Sequence, residues 1–400
     1  MASHGVAQDG KPIKVKAPFL TRRRVIQIVA LLVFLLFFGI PLLNILNKMV
    51  CASRFGHDVL GLGIELSPDD ISCNRSQLWQ QIVVGLTKGT YLAIIALGYT
   101  LVYGIIELIN FAHADVYMIG AFSALTLISA VGLTSKTPGW QVALTLPLIM
   151  LAVMAITAGL NVSIELLAYR RLRNSSRLAP LISAIGVSFI LQNIGQLWGE
   201  DQFWRNIGAD NVAKAMGSST TGPKSFPSLL PTQQVPFIPK SWFTLTYKDL
   251  LVIVVSVTLL AALYSFVRFT KLGKAMRATA QDRDAARLMG INANRTISLT
   301  FMIGGALAGA AGTLVGLYNG TAVFTMGFSV GLLSFTAAVL GGIGNILGSA
   351  LGGLLIGLIL ALSDQYVGSR WSNAVVFGIL VLILVFRPTG LLGEEGGQKA

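Results

Sequence analysis

Charged side chains are scarce in this sequence of 400 residues. They make up 12% of it, while hydrophobic residues make up 54%, and ordinary soluble proteins carry about twice that charged share. A soluble fold with so few charges could not cover its own surface, so the apolar excess must face an apolar medium. The composition therefore predicts an all-α, polytopic bundle of membrane helices.

Motifs for catalysis are absent as well. The two cysteines exclude a disulfide-rich scaffold, and the sequence has no GxxxxGK[ST] phosphate loop, no GxSxG and no HExxH. The three histidines lack partners at metal-ligand spacing. No basic patch alternates with aromatic residues, which argues against nucleic acid as a partner. We therefore expect no enzyme activity and no metal or cofactor on this chain.

Ten apolar stretches are long enough to cross a bilayer as helices. Lys and Arg predict their orientation, because these residues are enriched in cytoplasmic loops. With both termini inside, the inner loops hold nineteen of them and the outer loops ten, so we expect both termini in the cytoplasm. The predicted spans are residues 25–46, 80–106, 111–132, 142–167, 180–199, 249–267, 297–318, 329–343, 346–363 and 372–386.

The pair 329–343 and 346–363 has a second interpretation. Each stretch is short, and glycines lie between them. A re-entrant or broken helix is therefore an alternative to two complete spans.

The first apolar stretch follows a basic segment, as the core of a signal peptide does. It is too long for a signal peptide and no small-residue cleavage site follows it, so we interpret it as a retained anchor. The chain then divides into a basic N-terminus (1–24), the anchor with an outer loop (25–79), a main helical domain (80–393) and a tail (394–400). The main domain includes a long, proline-containing outer loop at 200–248 and a cytoplasmic loop at 268–296.

Four polar residues interrupt the apolar pattern between the second and third spans: Glu107, Asn110, His113 and Asp115. Ionisable groups at membrane depth usually face a bundle interior or a wet cavity. Two interpretations stay open, namely a short cytoplasmic turn that reaches water and a structured break beside a translocation path. In a continuous helix Glu107 and Asn110 would share one face, and Asp115 would lie on another.

These residues belong to the segment Gly98–Gly120, GYTLVYGIIELINFAHADVYMIG. It resembles the signature of the permease subunits of branched-chain amino acid ABC importers. That family usually has Gly and Glu after the histidine, where this chain has Ala114 and Asp115.

Other stretches strengthen the resemblance. Residues 273–292, GKAMRATAQDRDAARLMGIN, resemble the family's cytoplasmic loop that docks on the ATPase. VLGGIGN at 339–345 and FRPTGLLG at 386–393 fit as well. The resemblance covers about residues 80–393, and it implies a permease that bears no hydrolytic residue, with ATP bound on partner subunits.

The resemblance also implies a set of partners. These are a second homologous permease, two cytoplasmic ATPases and a periplasmic amino-acid-binding protein, assembled in the lipid bilayer of a bacterial inner membrane. The substrate would be a branched-chain or related hydrophobic amino acid. Importers of urea and short-chain amides carry similar permeases. An ion-coupled secondary transporter is a further alternative, but the sequence lacks a relay of Asp, Glu and His deep in several helices.

The cytoplasmic loop carries its own helix signals. Asp282 is suited to be an N-cap, residues 283–289 would form a short helix, and Gly290 would end it. Two turns are too few to hold a helix alone in water. We therefore expect this helix to pack against a partner.

The apolar face of that helix is small, consisting of Ala285, Leu288 and Met289. A groove of an ATPase could cover it. Alternatively, the arginines at 277, 283 and 287 anchor the loop to anionic lipid. On the first interpretation the ATPase-coupling residues are Arg277, Asp282, Ala285, Ala286, Leu288, Met289 and Gly290.

Small residues recur at three- and four-residue steps in the C-terminal half, which predicts close helix packing. Within the spans, Lys88 would snorkel or pair with an acid, and Glu165 would lie beside Arg170 and Arg171 at the membrane interface. The two glycine ladders are Gly305, Gly309, Gly312, Gly316 and Gly320, and Gly344, Gly348 and Gly352.

Both cysteines, Cys51 and Cys73, lie in the predicted outer loop 47–78. An oxidising compartment permits a disulfide between them, which would stabilise the protein by about 2–4 kcal/mol. Mass spectrometry of non-reduced, alkylated protein from an aerobic culture should then find them joined. Free thiol at both positions would contradict the bond and count against placing this loop outside.

Overall fold

The computed structural model describes residues 75–393, apart from residues 109, 174, 177, 232, 236–243 and 388. The predicted anchor at 25–46, the two cysteines and the tail at 394–400 lie outside the described residues.

Helices make up almost all of the regular structure. Nine of those described have 16 or more residues. They are α1 (Arg75–Ile106), α2 (His113–Val131), α3 (Gly139–Ile164), α4 (Leu178–Trp198), α7 (Tyr247–Phe269), α10 (Ala293–Asn319), α11 (Met326–Gly341), α12 (Ile346–Ser363) and α13 (Ser369–Phe386). Short π-helical turns extend α3 through Glu165–Tyr169 and α12 through Asp364–Gly368. The shorter helices are α5 (Asp201–Asn206), α6 (Asp210–Met216), α8 (Lys271–Gln281) and α9 (Arg283–Leu288).

Two short strands join the outer loop to the turn after α10. β1 (Lys224–Ser225) pairs antiparallel with β2 (Thr321–Ala322). Phe226 continues this contact, since its backbone N–H donates to the carbonyl of Gly320 at 2.9 Å. The segment after residue 200 is therefore folded against the bundle in this region.

Seven helical segments of the described chain are long and apolar enough to cross a membrane. The last of them, Ile346–Phe386, has 41 residues and is interrupted at Gly368, whose φ of 108° no regular helix adopts. After α13 the chain returns to the end of α11, where the N–H of Leu391 donates to Leu340 at 2.8 Å. α12 and α13 therefore form an antiparallel hairpin.

The segments predicted at 329–343 and 346–363 are separate helices, α11 and α12. Gly342 and Gly344 lie between them with φ values of 105° and 95°. α11 has 16 residues and is shorter than the other apolar helices that cross the bundle. The multi-pass helical architecture agrees with the prediction, whereas a count of ten spans exceeds the seven segments found in the described residues.

The centre of the bundle consists of α1, α2 and α10, which are mostly buried, while α4 and α7 are mostly exposed. Glycines allow the central helices to approach closely. A Cβ at Gly305 would lie 2.5 Å from the carbonyl oxygen of Thr157 on α3. A Cβ at Gly312 would lie 2.3 Å from the carbonyl oxygen of Tyr117 on α2. The predicted ladder thus packs against two neighbouring helices at once.

The closest packing in the C-terminal half joins α12 to α1. A Cβ at Gly353 would lie 2.5 Å from the Cα of Ala93, and one at Gly357 would lie 2.2 Å from the backbone nitrogen of Gly89. Backbone atoms cannot move aside as a flexible side chain can. Any side chain at these positions must therefore push α12 away from α1.

We predict that Gly353→Ala destabilises the bundle, because overpacking of this kind costs about 1–3 kcal/mol. Gly159→Ala is the matched control, since nothing lies within 4 Å of a Cβ built there on α3. Thermal unfolding of the purified proteins in one detergent should show a lower midpoint for Gly353→Ala only. Equal midpoints for both variants would show that α12 and α1 are not packed so closely.

Candidate functional site

The chain breaks between α1 and α2. α1 ends at Ile106 because Glu107 adopts a left-handed conformation, with φ of 58°, while its N–H still donates to the carbonyl of Tyr103 at 2.7 Å. A helix cannot continue through such a residue. The helix is not continuous here, so the condition under which Glu107 and Asn110 would share one face is not met.

The polar residues of this break have unequal surroundings. Glu107 is exposed, whereas Asn110, His113 and Asp115 are all buried. A simple turn in which every polar group reaches water does not describe them. The segment is a structured break in the bundle.

Asn110 and His113 lie in the interior. The side-chain oxygen of Asn110 accepts a hydrogen bond from the hydroxyl of Tyr169 at 3.0 Å. The ring of His113 packs edge-on against Tyr99, with 5.0 Å between centroids. A Cβ at Gly98 would lie 2.1 Å from Nε2 of His113, so this imidazole needs the glycine that precedes Tyr99 on α1. These contacts hold the start of α2 against α1 and α3.

Asp115, by contrast, lines a cavity of about 630 Å³ between α2, α4 and α11. Its carboxylate accepts hydrogen bonds from the hydroxyl of Ser188 and, at 3.4 Å, from the side-chain amide of Gln192. Most of the other lining groups are apolar. The full lining is Tyr99, Phe111, Ala114, Asp115, Ile185, Ser188, Phe189, Gln192, Thr325, Phe328, Ser329, Gly331 and Leu332.

Glu165, directly after α3, forms a buried ion-pair network. It is fully buried, and it accepts from Arg170, from Arg173 and, at 2.7 Å, from the hydroxyl of Ser298. The predicted neighbour Arg170 is confirmed, while the second cation on the carboxylate is Arg173 and not Arg171, because a π-helical turn follows α3. Burial lowers the pKa of Arg173, and the charge of Glu165 opposes that shift.

The cytoplasmic-loop helix has the predicted ends. The carboxylate of Asp282 accepts from the N–H groups of Asp284 and Ala285 at 2.8 and 3.0 Å, which makes it the N-cap of α9. Gly290 follows the helix with φ of 82°. The helix itself runs Arg283–Leu288, one residue shorter than expected.

Within the described residues, no other element covers the apolar face predicted for this helix. Leu288 is 89% exposed and Met289 is 82% exposed, and Ala285 is exposed beside them. Ala286, which we grouped with them, is 4% exposed and lies on the opposite, inward side. The short helix thus presents two large apolar side chains to its surroundings.

Hydrogen bonds fix α9 and its neighbours to the bundle. A guanidinium nitrogen of Arg283 donates to the carbonyl of Ile105 at 2.9 Å, at the last turn of α1. Arg173 donates to the side chain of Asn294 at 3.2 Å, in the first turn of α10. A guanidinium of Arg277 donates to the carbonyl of Arg268 at 3.4 Å and lines a cavity of about 510 Å³ beside the end of α1. The helix is therefore bonded directly to α1, two residues before the break at Glu107.

Sequence reasoning missed the partners of Asp115. Ser188 and Gln192 lie four residues apart on α4, so they share one face of a mainly apolar helix. That polar pair was a usable signal. The contact of this pair with Asp115 could not be predicted from the sequence, because it joins residues 73 positions apart.

The sequence of this chain matches a known protein family. A family model described as branched-chain amino acid transport system / permease component matches residues 81–384. The chain belongs to this family. Its family is one of transport permease components, and its apolar helices make it a multi-pass membrane protein.

Individual relatives of the permease family cover most of the chain. A high-affinity branched-chain amino acid transport system permease protein, BraD of Pseudomonas aeruginosa, is 43% identical over 329 residues, which are 80% of this chain and 97% of that protein. The corresponding LivH of Escherichia coli K12 is 40% identical over 321 residues, again 80% and 97%. LivM of the same organism is 32% identical over 126 residues, 30% of this chain and 28% of that protein. No solved structure matches.

We predict that Glu165→Gln destabilises this permease, because it leaves the Arg173 cation buried without its counter-charge. Breaking a buried pair costs about 3–5 kcal/mol, and the partial exposure of Arg170 places this case at the lower end. Thermal unfolding of the purified protein measures the loss. The matched control is Asp284→Asn, which removes an exposed pair with Arg287 and should leave the midpoint unchanged. A stable Glu165→Gln variant would show that the network contributes nothing.

Proposed function

We propose that this chain is the membrane-spanning subunit of an ATP-driven importer of branched-chain amino acids in a bacterial inner membrane. It forms the translocation path together with a second, homologous permease, while two cytoplasmic ATPases hydrolyse ATP and a periplasmic binding protein delivers the substrate. The relatives named above support the substrate class. The chain itself holds no cofactor and performs no hydrolysis, and both belong to the partner subunits.

One observation carries the proposal beyond the family, namely the exposed apolar face of α9. A six-residue helix capped at both ends keeps Leu288 and Met289 almost fully exposed. Large apolar side chains held out on a rigid element favour a protein partner. An ATPase groove that receives this face would bind the permease at a point bonded to the bundle.

The route from α9 into the bundle is short. Arg283 bonds to Ile105 at the end of α1, and the break at Glu107 follows two residues later. α2 starts six residues beyond and brings Asp115 to the cavity. A displacement of α9 by the ATPases would therefore act on the end of α1 and on the start of α2.

The distribution of positive charge supports the proposed orientation. The end of the bundle that bears α9 also carries the arginines and lysines of residues 170–173 and 268–295. The positive-inside bias puts this end in the cytoplasm. If α11, α12 and α13 each cross the membrane and the anchor at 25–46 is a further span, the chain has ten spans. An even number of spans leaves both termini in the cytoplasm.

The alternatives are less well supported. An importer of urea or short-chain amides would use the same mechanism for another substrate, and none of the relatives named above is such an importer. An ion-coupled transporter would need buried ionisable groups in several helices. In the described residues the buried acids are Asp115, Glu165 and Asp249; Glu165 is ion-paired and Asp249 caps α7.

We predict that Ala285→Glu and Leu288→Glu abolish retention of the ATPases without reducing the amount of permease in the membrane. Burying an unpaired carboxylate in the docked face costs several kcal/mol, or several tenfold steps in affinity at about 1.4 kcal/mol each. Pull-down of the ATPases from membranes measures retention, and uptake of radiolabelled leucine should fall with it.

Ile207→Glu is the control, because Ile207 is also apolar and, at 61%, exposed but lies in the outer loop at the opposite end of the bundle. It should retain the ATPases. Ala286→Glu is not a docking test, since Ala286 faces inward. If instead the loop only anchors to lipid, neutralising the arginines at 277, 283 and 287 would matter and the α9 variants would bind the ATPases normally.

A further inference from the structure

The cavity that Asp115 lines has an unusual combination of chemistry. It is walled by aromatic and aliphatic side chains from three helices, and it contains one carboxylate. Its volume of about 630 Å³ falls in the range of small-molecule sites. A carboxylate in such surroundings is costly unless a partner compensates its charge.

No cation among the described residues compensates it. The lining contains no Lys, Arg or His, and none of the ion pairs of the described chain includes Asp115. Its bonds come from two neutral donors, the hydroxyl of Ser188 and the amide of Gln192. Of the other two buried carboxylates in the described residues, Asp249 is bonded at the N-terminus of α7 by the backbone and hydroxyl groups of its capping box, and Glu165 has two arginines.

From this contrast we infer that the Asp115 cavity is a binding site for the transported amino acid, in which the carboxylate of Asp115 binds the substrate's α-ammonium group. An ammonium has three donors and a full charge, so it replaces the neutral donors that Ser188 and Gln192 supply in the empty cavity. The inference rests on the proposed function and names the group that this site recognises.

The rest of the cavity suits the rest of such a substrate. Phe111, Ile185 and Leu332 offer an apolar surface to a branched side chain. Thr325, at the start of α11, adds a hydroxyl that can donate a hydrogen bond to the substrate's carboxylate. A zwitterion with an apolar side chain therefore finds a complementary group for each of its three parts. Urea, which is neutral and lacks an ammonium, does not need Asp115.

The backbone brings α11 and α2 together so that this arrangement is possible. A Cβ at Gly327 would lie 2.4 Å from Oδ1 of Asp115, so the first turn of α11 packs directly on the carboxylate. A Cβ at Gly331 would lie 2.3 Å from the Cβ of Ala114. Both glycines are therefore needed to admit the Ala114–Asp115 pair.

The test uses the whole complex, reconstituted with its ATPases, its second permease and its binding protein. Asp115→Asn should reduce leucine uptake roughly 10- to 100-fold, as expected for the loss of one charged hydrogen bond. ATP hydrolysis stimulated by the leucine-loaded binding protein should remain, because Asp115 does not contact α9. Asp364→Asn is the control, since that carboxylate pairs with Lys88 outside the cavity, and it should keep normal uptake.

A second measurement addresses binding without the delivery protein. Leucine and 3-methylbutylamine should each raise the unfolding temperature of the wild-type complex, and 4-methylpentanoate, which lacks the ammonium, should not. Gln192→Lys places a tethered ammonium next to Asp115, so it should fold normally and lose the response to the amine. This variant keeps the test decisive if Asp115→Asn fails to fold.

The outcomes separate the two proposals. Wild-type uptake by Asp115→Asn, an undiminished amine response in Gln192→Lys, or equal stabilisation by 4-methylpentanoate would overturn the ammonium site while leaving the importer intact. A wild-type complex that takes up no branched-chain amino acid would overturn the proposed function instead, and the amine response would then decide the site by itself.

Discussion

The termination of α1 at Glu107 is the constraint on which the arrangement of this permease depends. If α1 continued, it would project past the end of the bundle, and the carbonyl of Ile105 would accept from its own helix. Because Glu107 turns left-handed, that carbonyl is free to accept from Arg283. The same turn lets α2 begin inside the bundle, with Asn110, His113 and Asp115 buried. One residue thus connects the exposed helix α9 with the cavity.

Dense packing around the break makes such a connection effective. His113 fills the space that Gly98 leaves on α1, and Asn161 on α3 donates to the carbonyl of Phe301 on α10 at 2.6 Å. Close-packed interiors transmit displacement because side chains have little room to relax. The Glu165 network adds a second fixed point, since it joins the end of α3 to Ser298 on α10. Movement of α9 is therefore expected to shift whole helices.

The sequence predicts the elements of this structure better than their contacts. Apolar runs locate the described helices to within a few residues, because a span of fixed thickness dictates their length. The ends of α9 were predictable from Asp282 and Gly290, since capping is local chemistry. Lys88 was expected to find an acid, and it pairs with Asp364 at 2.8 Å.

Contacts between distant segments were not predictable. The spans placed an interruption near residues 107–110, but the left-handed Glu107 that makes it a structured break has no sequence signal of its own. Glu165 was expected beside Arg170 and Arg171, and Arg170 does bond to it, but the contact with Arg173 depends on the π-helical turn that follows α3. Ala286 was placed with Ala285, although neighbouring helical residues point about 100° apart. The cavity beside Asp115 depends on three helices far apart in the chain.

Photocrosslinking from position 288 tests the central claim most directly. A benzoylphenylalanine in place of Leu288 samples only what lies against the exposed face of α9 in the intact complex, and the same residue at position 207 samples the opposite end. We expect a covalent adduct with an ATPase subunit from position 288 and no adduct with an ATPase subunit from position 207. Adducts from position 288 with lipid alone would contradict it.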